Sequence, residues 1–183
     1  MTQHDLLDQL ETELRSLLEQ VRIEIAHLPE EALRVRPAQD KWNILECFAH
    51  LNAYTDYYLS RIELSIHKAK ARKWSGEPNL RPTWAGRRSV AAADSANIDR
   101  KRMKAPKRFN FIHKPLDPDE VKRFIISCEK LLRSIQAARE VNLNKPKIAV
   151  AQLSIFSLNL GDLLHYLVVH ARRHVLQAQR LIH

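Results

Sequence analysis

Four stretches of this chain repeat apolar residues at steps of three and four, the spacing of one face of an α-helix, and no other feature constrains its fold as strongly. In the first, Leu6, Leu7, Leu10, Leu14, Leu17, Leu18, Val21 and Ile25 recur over residues 3–27. Pro29 closes that helix. LPEEALRVRPAQDKW then reads as a loop with one short turn, because Pro37 biases Arg36 away from helical angles. A second helix is predicted over residues 43–71. Asn43 caps it, Glu46 three residues later completes a capping box, and Trp42 and Cys47 occupy the staple positions. Phe48, Leu51, Tyr54, Tyr58, Ile62 and Ser65 or Ile66 run along its length. The third helix opens at Asp117, with Pro118 at the first helical position and Glu120 three residues after the cap. Val121, Phe124, Ile125, Cys128, Leu131, Leu132 and Ile135 form its core face. The fourth begins within residues 159–162 and continues to about residue 181 on Leu163, Leu164, Leu167, Val168, Ala171, Val175 and Ala178. Ahead of it, LNKPKIAVAQLSIFSLNL is apolar and partly β-branched, which predicts extended or irregular backbone.

The pattern makes an all-α fold, with residues 1–183 as one domain. A hydrophobic content of 45% is enough to bury a core without disulfide staples, so Cys47 and Cys128, set in amphipathic segments, are expected to be reduced core residues. No apolar run approaches the ~20 residues that span a bilayer. The opening MTQHDLLDQLETEL mixes charges into a helical pattern, unlike a signal peptide, and the expected location is the cytoplasm. Only three glycines occur in 183 residues, which removes the material of phosphate-cradling loops and excludes a nucleotide-binding α/β fold.

The net charge of +9 is confined to one place. Residues 72–116 hold 12 Lys and Arg against 3 Asp and Glu, and the rest of the chain is neutral. This connection also contains Pro78, Pro82, Pro106 and Pro115, and within it SVAAADSANIDRKRM can form a short helix. It is too long for a simple antiparallel turn and can cross the end of a bundle, so the second and third helices need not be antiparallel neighbours. A basic run of this kind is usually a solvated face. With only Trp74, Trp84, Phe109 and Phe111 for base stacking, nucleic acid is not the expected partner.

Of nine histidines, His4, His27, His67, His113 and His183 have no neighbour at ligand spacing, and His165 falls on a different helix face from His170. His170 and His174 are four residues apart on one face and can chelate. His50, flanked by Phe48, Ala49 and Leu51 in the second helix, is the candidate third ligand. Three neutral imidazoles leave open positions for water or substrate, as catalytic rather than structural metal sites do. Glu46, His50 and Tyr54 form a row on the second helix, and Tyr166, His170, His174 and Gln177 form another on the fourth. Glu46 and Tyr54 are therefore the candidate catalytic side chains. Glu46 either orients His50 or takes a proton, or serves only its capping box, and Tyr54 and Tyr166 also suit core positions. Arg172 and Arg173 point away from the face of His170 and suit salt bridges or a dimer contact.

WNILECFAHL in the second helix and HARRHVLQAQRLI in the fourth resemble the DinB-like family, and the likeness extends to KAPKRFNF and LNLGDLLHYLVVHARRHVLQAQR. The resemblance implies a four-helix bundle in up-down-down-up order, with a long connection crossing between helices two and three and frequent homodimers. It implies a metal triad on His50, His170 and His174 holding one divalent ion, nickel or zinc. Some members of that family use low-molecular-weight thiols such as mycothiol or bacillithiol in transferase or isomerase reactions, and many have no known activity. The expectation is thus a metal-dependent enzyme, a thiol-dependent transferase or a hydrolase acting on a small electrophile. The alternative is a non-catalytic dimeric interaction module with a vestigial or structural metal site.

Overall fold

The computed structural model describes residues 1–76, 79–97, 104–151 and 153–182. Among these residues, six α-helices and one two-stranded ribbon make the structure mostly helical, with 64% of them in helix. The helices are α1 (Gln3–Glu24), α2 (Glu30–Arg34), α3 (Ile44–Ala71), α4 (Trp84–Ala93), α5 (Glu120–Ala138) and α6 (Leu160–Gln179). Strands β1 (Lys147–Val150) and β2 (Leu153–Asn159) pair antiparallel, with Ile148 opposite Leu158 and an irregularity after Ala149. None of these helices is long and apolar enough to cross a membrane.

Each of the four long helices carries the apolar stripe read from the sequence, and each packs against two others: α1 and α3 both lie against α5 and α6. Leu6, Leu10, Leu14, Ile62, Phe124, Ile135, Leu164 and Val168 are among the residues this buries. At about 25 cal/mol per Å² of apolar surface, that burial is the main force holding the helices together. Polar pairs set their register. Asn52 on α3 donates to the Glu120 carboxylate on α5 at 2.7 Å, Asp56 meets Arg123 at 3.2 Å, and Lys70 meets Glu140 at 2.9 Å. On α1, Glu11 meets Arg139 at 3.1 Å and Arg22 meets Glu129 at 2.8 Å. Between α1 and α6, Glu13 pairs with Arg172 at 3.0 Å and Gln179 donates to Glu24 at 2.8 Å.

Two expectations need correction. The third helix does not open at Asp117: α5 starts at Glu120 after Asp119, which makes no side-chain cap bond. Asp117 instead accepts the Asp119 N–H at 2.9 Å, a local side-chain turn that competes with helix, and the Glu120 carboxylate goes across to Asn52. In the connection, the helix starts earlier than the expected SVAAADSANIDRKRM segment: α4 opens at Trp84 and takes in only residues 89–93 of it. The Thr83 hydroxyl accepts the Gly86 N–H at 2.9 Å and starts α4 there, and a 3-10 turn, Ser95–Asn97, follows it. Residues 98–103 of that expectation lie outside the described residues. The apolar stretch before α6 is extended as expected, its turn anchored where Ala151 donates to the Tyr58 hydroxyl at 2.9 Å.

The Asp162 carboxylate in the first turn of α6 accepts from both Thr83 N, at 2.9 Å, and Thr83 Oγ1, at 2.7 Å. A Cβ on Gly86 would overlap that carboxylate, so glycine is required for α4 to approach α6. Gly86→Ala is expected to cost about 1–3 kcal/mol of stability through this overlap, read as a lowered unfolding midpoint with helix content retained. A second prediction concerns acid. Hydrogen bonds from Arg15, Arg139 and Gln136 hold the Glu11 carboxyl down to about 2, so its contribution is complete above the ordinary carboxylate range and fades as pH falls toward 2. Glu11→Gln should destabilise by roughly 1 kcal/mol at neutral pH, the solvent-screened magnitude for such pairs, and flatten the acid limb of the stability curve.

Candidate metal centre

Two helix caps set the register of this site. Asn43 Oδ1 accepts the Glu46 N–H at 2.9 Å and Glu46 Oε2 accepts the Asn43 N–H at 2.9 Å, which starts α3 and directs His50 toward α6. Asn159 Oδ1 accepts the Asp162 N–H at 2.7 Å and starts α6, putting His170 and His174 one turn apart on the facing side. The three histidines meet there. Each offers one ligand atom, and these atoms lie within 4.8 Å of one another. His50 Nε2 and His170 Nε2 are 3.1 Å apart. Nitrogens at that separation, each about 2.1 Å from a common ion, subtend about 95° at it, between octahedral and tetrahedral angles.

Hydrogen bonding decides where the protons sit. The Phe109 carbonyl can only accept, so His50 Nδ1, 2.7 Å away, carries a proton and its Nε2 presents a lone pair. His174 Nδ1 likewise donates to Gln177 Oε1 at 3.0 Å. Both rings are thus held in the tautomer that turns Nε2 inward, the arrangement that outer partners impose on metal-binding histidines. The donor set fits a divalent ion of the zinc or nickel kind, which imidazole nitrogens suit.

Burial keeps the imidazoles neutral. His50, His170 and His174 are 3%, 7% and 9% exposed. Burial lowers His50 to about 4, against the opposing effect of its bond to Phe109. It pushes His170 and His174 well below their ordinary value, helped by the neighbouring imidazoles and the Arg173 cation. Arg173, itself 8% exposed, donates to the Asp94 carbonyl at 2.9 Å. Arg172 bridges Glu13 at 3.0 Å and Asp94 at 3.3 Å, in keeping with the salt-bridge role read from the sequence.

Aromatic rings line the cluster. Tyr166 stacks on His170 at 5.3 Å, and Tyr54 lies 4.9 Å from His50 and 4.7 Å from His170 between ring centroids. Trp42 tilts over His50 at 4.8 Å and stacks on His174 at 5.7 Å. Phe109 covers Tyr54 at 4.2 Å. Burial and a hydrogen bond with Tyr54 raise the Tyr166 phenol well above its ordinary value, so it stays protonated. Glu46 is directed elsewhere, toward Arg36, Asn43 and His113. A groove of about 650 Å³ between α1 and α6, floored by Leu17 and Leu176, is lined by none of the three histidines.

Sequence reasoning missed three contributors. Phe109 acts through a backbone carbonyl, which no residue type signals, and Arg36 reaches Glu46 from a loop. Trp42, read as a helix staple, also stacks on His174 and tilts over His50, contacts that its place ahead of the Asn43 cap does not signal.

The DinB superfamily family model matches residues 6–178 of this chain. Neither the curated proteins nor the solved structures give a match.

In metal-free protein, His50 is expected to remain neutral down to about pH 4, with His170 and His174 also titrating below their ordinary value. The unfolded chain takes up those protons near pH 6.5, so stability should fall as pH drops from about 6.5 toward 4. Histidine NMR titration checks this. Any of the three charging near pH 6.5 in the folded state would contradict it.

Proposed function

Since the chain belongs to the DinB superfamily, we propose that it is a metal-dependent enzyme whose His50, His170 and His174 hold one divalent ion, nickel or zinc. The observation that carries this reading is the convergence of two Nε2 atoms at 3.1 Å while the Nδ1 atoms of His50 and His174 are taken by Phe109 and Gln177. Such an ion, when bound, acidifies water or a thiol and polarises a carbonyl near neutral pH. The reaction class we assign is a thiol-dependent transfer or a hydrolysis at a small electrophile, with a low-molecular-weight thiol as the first cosubstrate to try.

The chain's own residues have separable roles in this reading. Three neutral imidazoles would leave the charge of a bound divalent ion uncompensated, which would favour an anionic ligand such as a thiolate there. We assign to Tyr54 the passing of a proton to or from a bound molecule; in support, its ring lies 4.9 Å from that of His50 and its hydroxyl is bonded with Tyr166. Trp42, Phe109 and Tyr166 limit water and offer apolar contact to a small substrate. We read the four long helices as an up-down-down-up bundle. In support, the α3–α5 pairs Asn52 with Glu120, Asp56 with Arg123 and Lys70 with Glu140 advance in the same sense along both helices. Homodimeric assembly and a cytoplasmic location, with Cys47 and Cys128 reduced, belong to the same proposal.

A second reading draws on the aromatic lining: rings on several sides of the cluster suit a closed, structural ion in a non-catalytic binding module. One experiment separates the two. Tag-free protein should contain about one ion per chain by elemental analysis, and His170→Ala should contain none while keeping its helix content. In the cobalt-substituted protein, added thiol or azide should change the visible spectrum if open positions are reachable. A loaded site whose spectrum ignores both would favour the structural reading, and tight binding retained by His170→Ala would remove the triad assignment.

A further inference from the structure

Glu46 is 1% exposed, and both lone pairs of each carboxylate oxygen are engaged. Oε2 accepts from Asn43 N at 2.9 Å and Arg36 Nη1 at 2.8 Å; Oε1 accepts from Arg36 Nη2 at 2.6 Å and His113 N at 2.7 Å. A carboxylate so filled has no room to receive a substrate proton. The capping box accounts for only one of the four donors. The other three come from two segments outside α3, and each segment leads to the histidine cluster.

The first route runs through the connection. His113 adopts a left-handed conformation with φ 58°, unfavourable for a residue with a Cβ, and that conformation accompanies its N–H bond to Glu46. Behind it the chain is folded tightly: Asn110 Oδ1 accepts the Ile112 N–H at 3.1 Å, and the Phe109 ring is 1% exposed. Phe109 is thereby locked with its carbonyl 2.7 Å from His50 Nδ1. The second route runs through the loop before α3. Arg36 also donates to the Lys41 carbonyl, and the next residue is Trp42, whose ring covers His50 and His174.

We propose that Glu46 is a positioning residue for the metal centre: it fixes the His50 tautomer through His113 and Phe109, and seats Trp42 through Arg36. The proposal rests on the metal-site reading above but can be tested without metal. Gln at this position retains the cap to Asn43 yet places an NH2 group against the N–H donors of Arg36 or His113.

Long-range proton–nitrogen NMR of histidine-labelled, metal-free protein reports the His50 tautomer, and zinc release to a chelator reports the loaded site. Wild type should show His50 protonated at Nδ1 alone. Glu46→Gln should show a mixture of tautomers and release zinc about 10–100-fold faster, the usual size of an outer-partner effect on affinity. Arg36→Met, which cuts only the second route, should shift the Trp42 indole resonance while leaving the His50 tautomer intact. An unchanged tautomer and an unchanged release rate in Glu46→Gln would overturn the proposal. If that variant does not fold, Glu46→Asp, which keeps the charge and shortens the reach, is measured by the same two readouts: mixed tautomers and faster release support the proposal, and no change in either overturns it. A wild type that takes up no zinc defeats the metal-site reading, while the tautomer comparison still decides the role of Glu46.

Discussion

Bringing three imidazoles out of water and into mutual contact is the demand around which much of this molecule is arranged. A buried imidazole can stay neutral at modest cost only if both ring nitrogens are accounted for. The Phe109 carbonyl fixes the Nδ1 proton of His50 and the Gln177 amide that of His174, and the Nε2 atoms of His50 and His170 are left facing each other. Meeting that demand takes residues from four parts of the chain: the loop before α3, α3 itself, the connection and α6. The apolar stripes hold the helices side by side, but these polar terminations decide where along their lengths they stop sliding.

The legible and illegible parts of this arrangement divide by the kind of signal involved. The capping box Asn43 with Glu46 sets the start of α3 to the residue, and the apolar spacing carries all four long helices, because both depend on side chains whose preferences are local. The pair His170 and His174 is equally local. The start of α5 is harder to place because Asp117 and Pro118 favour a turn as strongly as a cap, and the competition is settled by Glu120 reaching Asn52. The start of α4 escapes notice because Thr83 is an ordinary residue until Asp162 approaches it. Contacts made by backbone groups, such as the Phe109 carbonyl and the His113 amide, leave no trace in residue type.

The scarcity of glycine takes on a second meaning in three dimensions. Its first meaning was exclusion of phosphate-cradling loops. Two of the three glycines are instead sites of close approach. Gly86 lies against the Asp162 carboxylate, and a Cβ on Gly161 would press within 2.8 Å of Leu80 and 3.3 Å of Leu143. Both lie where the connection and the segment before α6 come together, beside the helix that carries His170 and His174. Close packing at that end stiffens the element that presents two of the three ligands.

The basic connection looks in sequence like one long loop of 45 residues, 72–116, whose ends would be hard to hold together. In the fold it is tacked down at short intervals. Trp74 accepts from Asn142, Asn79 pairs with Thr2, Thr83 binds Asp162, and Asp94 is clasped by Arg172 and Arg173. Phe109 and His113 close the far end on His50 and Glu46. Closure entropy grows only with the logarithm of loop length, but it is counted separately for each segment between tacks. The connection therefore behaves as a chain of short loops whose ordering is shared with α1, α3 and α6. Its described parts are thereby tied to the helices that carry the histidines, and opening one tack leaves the others in place.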